Sequence, residues 1–176
     1  MKTIYRYFLT INSIILLAAV YLIKEGIQIP IKYLPSPHVS YFVYVFAPVV
    51  MSGFCIWLSR FLGDDIISGG VLDVECVNDA SLPSYLGYFF VALSISNWTT
   101  LIWVGILILV FTFFSRTSYF NPLFLLFGYK FYYVTVKGKI KFSIISRGDI
   151  VKTDTLVFDK LKRINNYTFI DRERYR

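Results

Sequence analysis

Between Tyr85 and Phe114 the chain runs for 30 residues without a single charged side chain. As one α-helix this stretch measures about 45 Å, well beyond the roughly 30 Å hydrocarbon core of a bilayer. Its middle offers a way out. Ser94, Ser96, Asn97, Thr99 and Thr100 cluster around Trp98, and Asn, Ser and Thr are residues that leave one helix and cap the next. The run is therefore read as a tight helical hairpin turning near Asn97. Arms over 82–97 and 99–115 hold about 16 residues each, or about 24 Å, thin for a membrane but workable by mismatch adjustment. One long tilted helix is the alternative.

Two further apolar runs flank this reading. Tyr7 to Ile23 lies between Lys2 and Arg6 on one side and Lys24 and Glu25 on the other, without a clean small-x-small cleavage site after Leu17. Tyr41 to Leu58 opens on Tyr41, Phe42 and Tyr44 and closes on Trp57 and Arg60, the aromatic and basic edges of a membrane segment, and Pro48 is expected to kink it. Charged residues are only 16% of the chain, against roughly 25% in soluble domains. The expectation is thus an α-helical membrane protein with four transmembrane helices over about 7–23, 41–58, 82–97 and 99–115, forming a domain over 1–118.

Charge distribution orients the spans. Residues 1–58 carry +3, 59–84 carry −4, 85–114 carry none and 115–176 carry +8, which together give the net +7. Four spans with both termini cytoplasmic keep Lys2, Arg6, Arg60 and the basic tail inside; three spans export the first three. The acidic loop over 59–81 supports the same choice. Val71-Leu-Asp-Val-Glu-Cys-Val77 reads as a strand and needs a partner sheet. The only other β-rich region is the tail.

The tail, 119–176, is expected to form a small cytoplasmic β-meander or SH3-like domain. Tyr129–Val136 and Lys139–Ser146 flank Lys137-Gly138 as a hairpin with a two-residue turn, which sets Thr135 against Ile140, Tyr133 against Phe142 and Phe131 against Ile144. A second hairpin from Leu156 through Asn165-Asn166 to Ile170 sets Leu161 against Ile170 and Ile164 against Tyr167; a short helix capped by Asp159 is the alternative. Asn121-Pro122 and the apolar residues up to Phe127 are expected to lie along the membrane surface.

Little catalytic chemistry is available. Two cysteines, Cys55 and Cys76, and one histidine, His38, make no metal-ligand cluster. Asp64 and Asp65 are adjacent and diverge, and Gly69-Gly70 lacks the lysine of a phosphate loop. No charge lies inside any span, so Asn12 is the most polar group there, and a hydrogen bond between helices is the plainer role for it. The expectation is no enzyme, no catalytic, cofactor or metal site, and no cofactor. The informative surface is basic: Lys137, Lys139, Lys141, Lys152, Lys160, Lys162 and Arg163 are candidate contacts for anionic lipid or an acidic partner. Direct nucleic-acid binding is not expected, because the aromatics do not interleave with the lysines.

The segments Asn78-Asp79-Ala-Ser-Leu-Pro-Ser-Tyr-Leu-Gly-Tyr-Phe-Phe90 and Phe120-Asn-Pro-Leu-Phe-Leu-Leu-Phe-Gly-Tyr-Lys-Phe-Tyr-Tyr-Val134, in this layout, resemble the KwaA membrane component of Kiwa anti-phage defence systems. The resemblance implies a multi-pass protein of the bacterial inner membrane that forms a homo-oligomer and recruits a cytoplasmic effector, KwaB. The functional expectation is a non-enzymatic membrane sensor or scaffold, with a small oligomeric channel or membrane-permeabilising effector as the alternative.

Overall fold

The computed structural model describes residues 2–30, 37–67, 70–114, 121–150 and 158–172. Five α-helices and six strands follow one another in an order that interleaves them. The long apolar runs give α1 (Lys2–Lys24) and α2 (Pro37–Leu58). A 3-10 turn over Ser59–Phe61 leads into β1 (Asp64–Ile67) and β2 (Val71–Cys76). Then come α3 (Leu82–Ser94), α4 (Trp98–Phe114), the single turn α5 (Leu123–Leu126), β3 (Lys130–Val136), β4 (Lys141–Ser146), β5 (Phe158–Arg163) and β6 (Thr168–Asp171).

The uncharged run does break near Asn97. The side-chain Oδ1 of Asn97 accepts the backbone N–H of Thr100 at 2.8 Å, so Asn97 caps α4. The break, however, leaves helices of 13 and 17 residues, both short of the roughly 20 that cross a bilayer. Among the described residues, only two helical stretches, Thr3–Lys24 and His38–Phe61, are long and apolar enough to span. The expected four-span helical membrane protein is therefore corrected. The described residues form a mixed α/β protein with two candidate membrane helices and a six-stranded mixed sheet.

α1 is the axis of the helical part, packing against α2, α3 and α4. Its two ends close the shorter helices. Lys24 Nζ donates to the carbonyl of Ile95, just past the end of α3, while Arg6 Nη2 donates to the carbonyl of Phe113 at 3.2 Å, at the end of α4. Each cation satisfies a terminal carbonyl where the helix dipole is negative. Rings add to both contacts: Tyr21 meets Trp98 edge-on at 5.3 Å and Tyr7 stacks on Phe113 at 4.6 Å. α4 thus runs antiparallel to α1 along most of its length. Gly26, at φ +64, ends α1 with the paired carbonyl-to-amide bonds of a helix stop that favours glycine.

The strand order is β1-β5-β6-β4-β3-β2, with β4 and β6 parallel and every other pair antiparallel. A flat sheet would hold its edge strands about 24 Å apart, five spacings of roughly 4.8 Å. Yet β1 ends at Ile67 and β2 begins at Val71, four Cα steps that reach at most about 14 Å. The sheet must curl until its edges approach, and one cluster made of Ile67, Val134, Ile144, Phe158, Leu161 and Phe169 fills the inside of the curl. The loop strand does pair with the tail, through β2 and β3. The simple meander is corrected, because β6 inserts between β5 and β4 by a parallel pairing.

Both hairpins occur, each shifted by one residue from its expected register. In the first, Val134 faces Phe142 and Tyr132 faces Ile144. The turn holds three residues, Lys137 to Lys139: the Lys139 amide closes on the Val136 carbonyl at 2.8 Å and Lys139 takes φ 57, the left-handed residue of a three-residue loop. One residue of slip exchanges which side chains share a face. In the second, Leu161 faces Asp171 and Arg163 faces Phe169, and the Oδ1 of Asn165 accepts the Tyr167 amide at 2.7 Å inside the turn. Residues 158–163 are strand, not the alternative helix, and Leu156, Ser115 and Phe120 lie outside the described residues.

The outer face of the sheet is not free. Phe131, Ile145, Ile164 and Ile170 join Tyr5 and Leu9 of α1, Cys55 of α2, and Leu62 and Phe124 in one buried cluster. α5 therefore plugs into this junction instead of lying along a surface: Phe124 is fully buried and stacks on Phe131 at 6.5 Å.

Candidate functional site

Two features bring polar groups together, one inside the helices and one on the sheet. Inside, Asn12 Nδ2 donates to Ser52 Oγ at 2.8 Å, Asn121 Nδ2 donates to the same oxygen at 3.2 Å, and Ser52 donates to the Pro48 carbonyl at 2.8 Å. All three side chains are buried. Ser52 thereby ties α1, α2 and the segment leading into α5 to one atom. The helical contact expected of Asn12 is this one, while the part of Asn121 was not legible, since nothing near it in sequence marks it as buried. The Asn12 carbonyl oxygen has no partner among the described residues.

An apolar groove of about 270 Å³ between α1 and α4, lined among others by Leu17, Ala18, Leu101 and Gly105, presents no convergent polar groups that would orient a polar substrate. Among the described residues no three His, Cys, Asp or Glu side chains gather in the manner of a metal site. Cys55 is buried and Cys76 exposed, both free.

On the sheet, the basic candidates meet acids of their own chain. Lys162 Nζ lies 2.8 Å from Asp64 Oδ1 and donates to the Leu62 carbonyl at 3.0 Å. Arg163 pairs with Asp65 at 3.0 Å, and Lys141 with Glu75 at 3.0 Å while sitting 4.4 Å over the Tyr133 ring. The β1–β5 and β2–β3–β4 pairings enforce these meetings. Asp64 stands opposite Lys162, and Glu75 and Ser143 flank Tyr133 on adjacent strands, two residue pairs from Lys141 and so on the same face as it. The acidic loop and basic tail, which look in sequence like separate surfaces for outside partners, thus neutralise each other in part.

The remaining candidates separate. Lys160 belongs to β5, and Lys152 lies outside the described residues. Lys137 and Lys139 stand in the exposed turn between β3 and β4 without an acidic partner among the described residues. At the other end of the hairpin Lys130 pairs with Asp149. That contact holds the Asp149 carboxyl below its usual range, by a hydrogen bond first and by charge second, and raises the Lys130 ammonium. Burial pushes the neighbouring Tyr132 phenol up, and its hydroxyl donates to the Gly148 carbonyl at 3.3 Å.

Fold and site together define a class: a helical body whose two longest helices are of membrane length, with their ends built into a curled β-domain that carries the exposed charge. The chain belongs to the KwaA family: the family model described as "Anti-phage protein KwaA" matches residues 5–170. No curated protein and no solved structure matches it. The family places the chain in anti-phage defence.

Proposed function

We propose that this chain is a non-enzymatic sensor and scaffold of anti-phage defence, anchored in the bacterial inner membrane by α1 and α2, which recruits a cytoplasmic KwaB-like effector through its sheet. The observation that carries the reading is the shared core at the junction. The start of α1 and the end of α2 are buried against Phe131, Ile145 and Ile170 of the sheet, so the apolar helices and the charged domain are one body, and displacement of one is felt by the other. That junction puts the N-terminus and the sheet on one side of the helix pair. Lys2, Arg6, Arg60 and the basic tail share that side, which the positive-inside bias makes cytoplasmic for both termini. The outward face of α2, where Phe42 stacks on Phe46 and Phe54 on Trp57, is the surface on which copies meet or lipids pack. Affinity purification of the full-length chain in mild detergent from its native host tests this. A stoichiometric KwaB-like partner supports recruitment; a clean homo-oligomer without one overturns it.

A further inference from the structure

Three kinds of side chain converge where α2 hands over to the sheet. An apolar crevice of about 70 Å³ opens between the start of α1 and the end of α2, lined by Ile4, Tyr5, Leu58 and Leu62. Tyr5 and Leu62 belong to the buried junction, whereas Ile4 is 59% exposed. Beside it a ladder of rings, Phe54, Trp57 and Phe61, climbs α2 and continues past its end, with successive centroids 5.7 and 5.3 Å apart. Trp57 and Phe61 are about half exposed. Arg60 stands in the turn between Leu58 and Leu62 and is exposed. Its Cα lies within two chain steps, at most about 7.6 Å, of both residues that line the crevice.

The neighbouring charges are already matched. Asp64 meets Lys162 at 2.8 Å and Asp65 meets Arg163 at 3.0 Å, so neither acid of β1 is left for Arg60. Lys162 also donates to the Leu62 carbonyl, and Arg6 donates to the Phe113 carbonyl. Arg60 has no acidic partner among the described residues. An arginine lays its apolar stem along a hydrophobic wall and keeps its guanidinium in water, where the planar fork grips a phosphate through two bonds. The occupant that suits this place is apolar at one end and anionic at the other, and Trp57 and Phe61 are the side chains that settle at a bilayer interface. A phospholipid meets all three conditions, and basic pockets between membrane helices on the cytoplasmic side take anionic headgroups.

We propose that the crevice and Arg60 form a binding site for an anionic phospholipid of the inner leaflet, with part of an acyl chain against Ile4 and Leu58 and the phosphate on the Arg60 guanidinium. This inference rests on the membrane anchoring proposed above and names a lipid that the anchored junction selects.

The test uses the full-length chain in phosphatidylcholine nanodiscs, with a minority of either brominated phosphatidylglycerol or brominated phosphatidylcholine, whose bromines quench nearby tryptophan. A W98F/W103F background leaves Trp57 as the reporter. Brominated phosphatidylglycerol should be enriched about fivefold over brominated phosphatidylcholine around Trp57. R60Q should bring the ratio close to one, I4Q should lower it, and K139Q, in the distant exposed turn, should leave it unchanged. Thermal melts matching the wild-type exclude misfolding, and native mass spectrometry of lipid retained by the chain with all its tryptophans gives the same ratio without the background. If both lipids quench equally, the site is wrong and the anchoring stands. If neither quenches, α2 lies outside lipid and both readings fall. If K139Q lowers the ratio as much as R60Q, the attraction is spread over the basic surface and the site is overturned. If a purified effector, and not lipid, shields Trp57 from iodide, the crevice takes protein and the proposal is again overturned.

Discussion

The helical body and the sheet are built inside out relative to each other. In the helices the fully buried side chains include Asn12 and Ser52, while Trp103, Phe111 and Phe114 stand outside at 66–75% exposure. In the sheet, Val134, Ile144, Phe158 and Leu161 are wholly buried and lysines lie outside. A soluble domain hides its large apolar groups, so an extended apolar exterior is the informative departure. The contrast is what the proposed membrane anchoring would require, and the buried junction around Phe131 and Phe124 joins the two regions.

Breaking that junction should have the largest effect. Phe131→Ala opens a cavity shared by both halves and should cost about 3–5 kcal/mol in micelles, while Trp103→Ala, equally drastic in size but on the exterior, should stay within about 0.5 kcal/mol; paired thermal melts in detergent decide. If the two variants melt alike, the helical exterior is not an exterior. Val50→Lys comes next. Val50 is 67% exposed, so in water the change is nearly silent, but in a bilayer it costs about 2.5–3.5 kcal/mol near the helix centre. Carbonate extraction should move the variant toward the soluble fraction, and unchanged extraction would place α2 outside lipid.

Ser52→Val sharpens the comparison from the inside. It leaves the Asn12 and Asn121 amides without their common acceptor, a loss of about 1–3 kcal/mol for each unpaired group, whereas Ser52→Thr keeps the hydroxyl and should melt near the wild-type. On the sheet side, Lys139→Gly relieves a left-handed backbone at φ 57 and should stabilise by roughly 1 kcal/mol, read as a rise in melting temperature with an unchanged hairpin. The smallest effect is a titration. Asp149 has a lowered carboxyl pKa because Lys130 is beside it, so the contact contributes at neutral pH and is lost as pH falls through that lowered value, beneath the ordinary Asp range near 3.9. The chemical shifts of Asp149 and Lys130 should change together there, and Lys130→Met should return Asp149 to the ordinary range.

What the amino-acid sequence disclosed follows the range of the forces involved. The break at Asn97 was legible because a cap is a local hydrogen bond made by the residue itself. That break does not make two more membrane spans, since Leu82–Ser94 and Trp98–Phe114 fall short of the roughly 20 residues a span needs and their ends are closed by Lys24 and Arg6 from another helix. Both hairpins were visible, but their registers were not. Gly138 suggests a two-residue turn, whereas the left-handed position falls on Lys139, a residue with no preference to announce it. β1 hid behind Asp64 and Asp65, which read as loop acids until Lys162 and Arg163 stand opposite them. The parallel pairing of β4 with β6 had no local signal at all, because only the packing of distant strands sets it.

The curled sheet also has a consequence for how the protein is made. Its two edges, β1 and β2, are the first strands synthesised, and among the described residues β2 pairs with β3, β1 with β5, and neither with the other. The ribosome must complete α3, α4 and most of the tail before β1 finds its neighbour, nearly 100 residues later in the chain, and such distant closures are slow. Until then two bare strands wait for their partners. A prematurely terminated product therefore carries unpaired edges that quality control can seize, and a chain that passes unnoticed is one whose last strands have arrived.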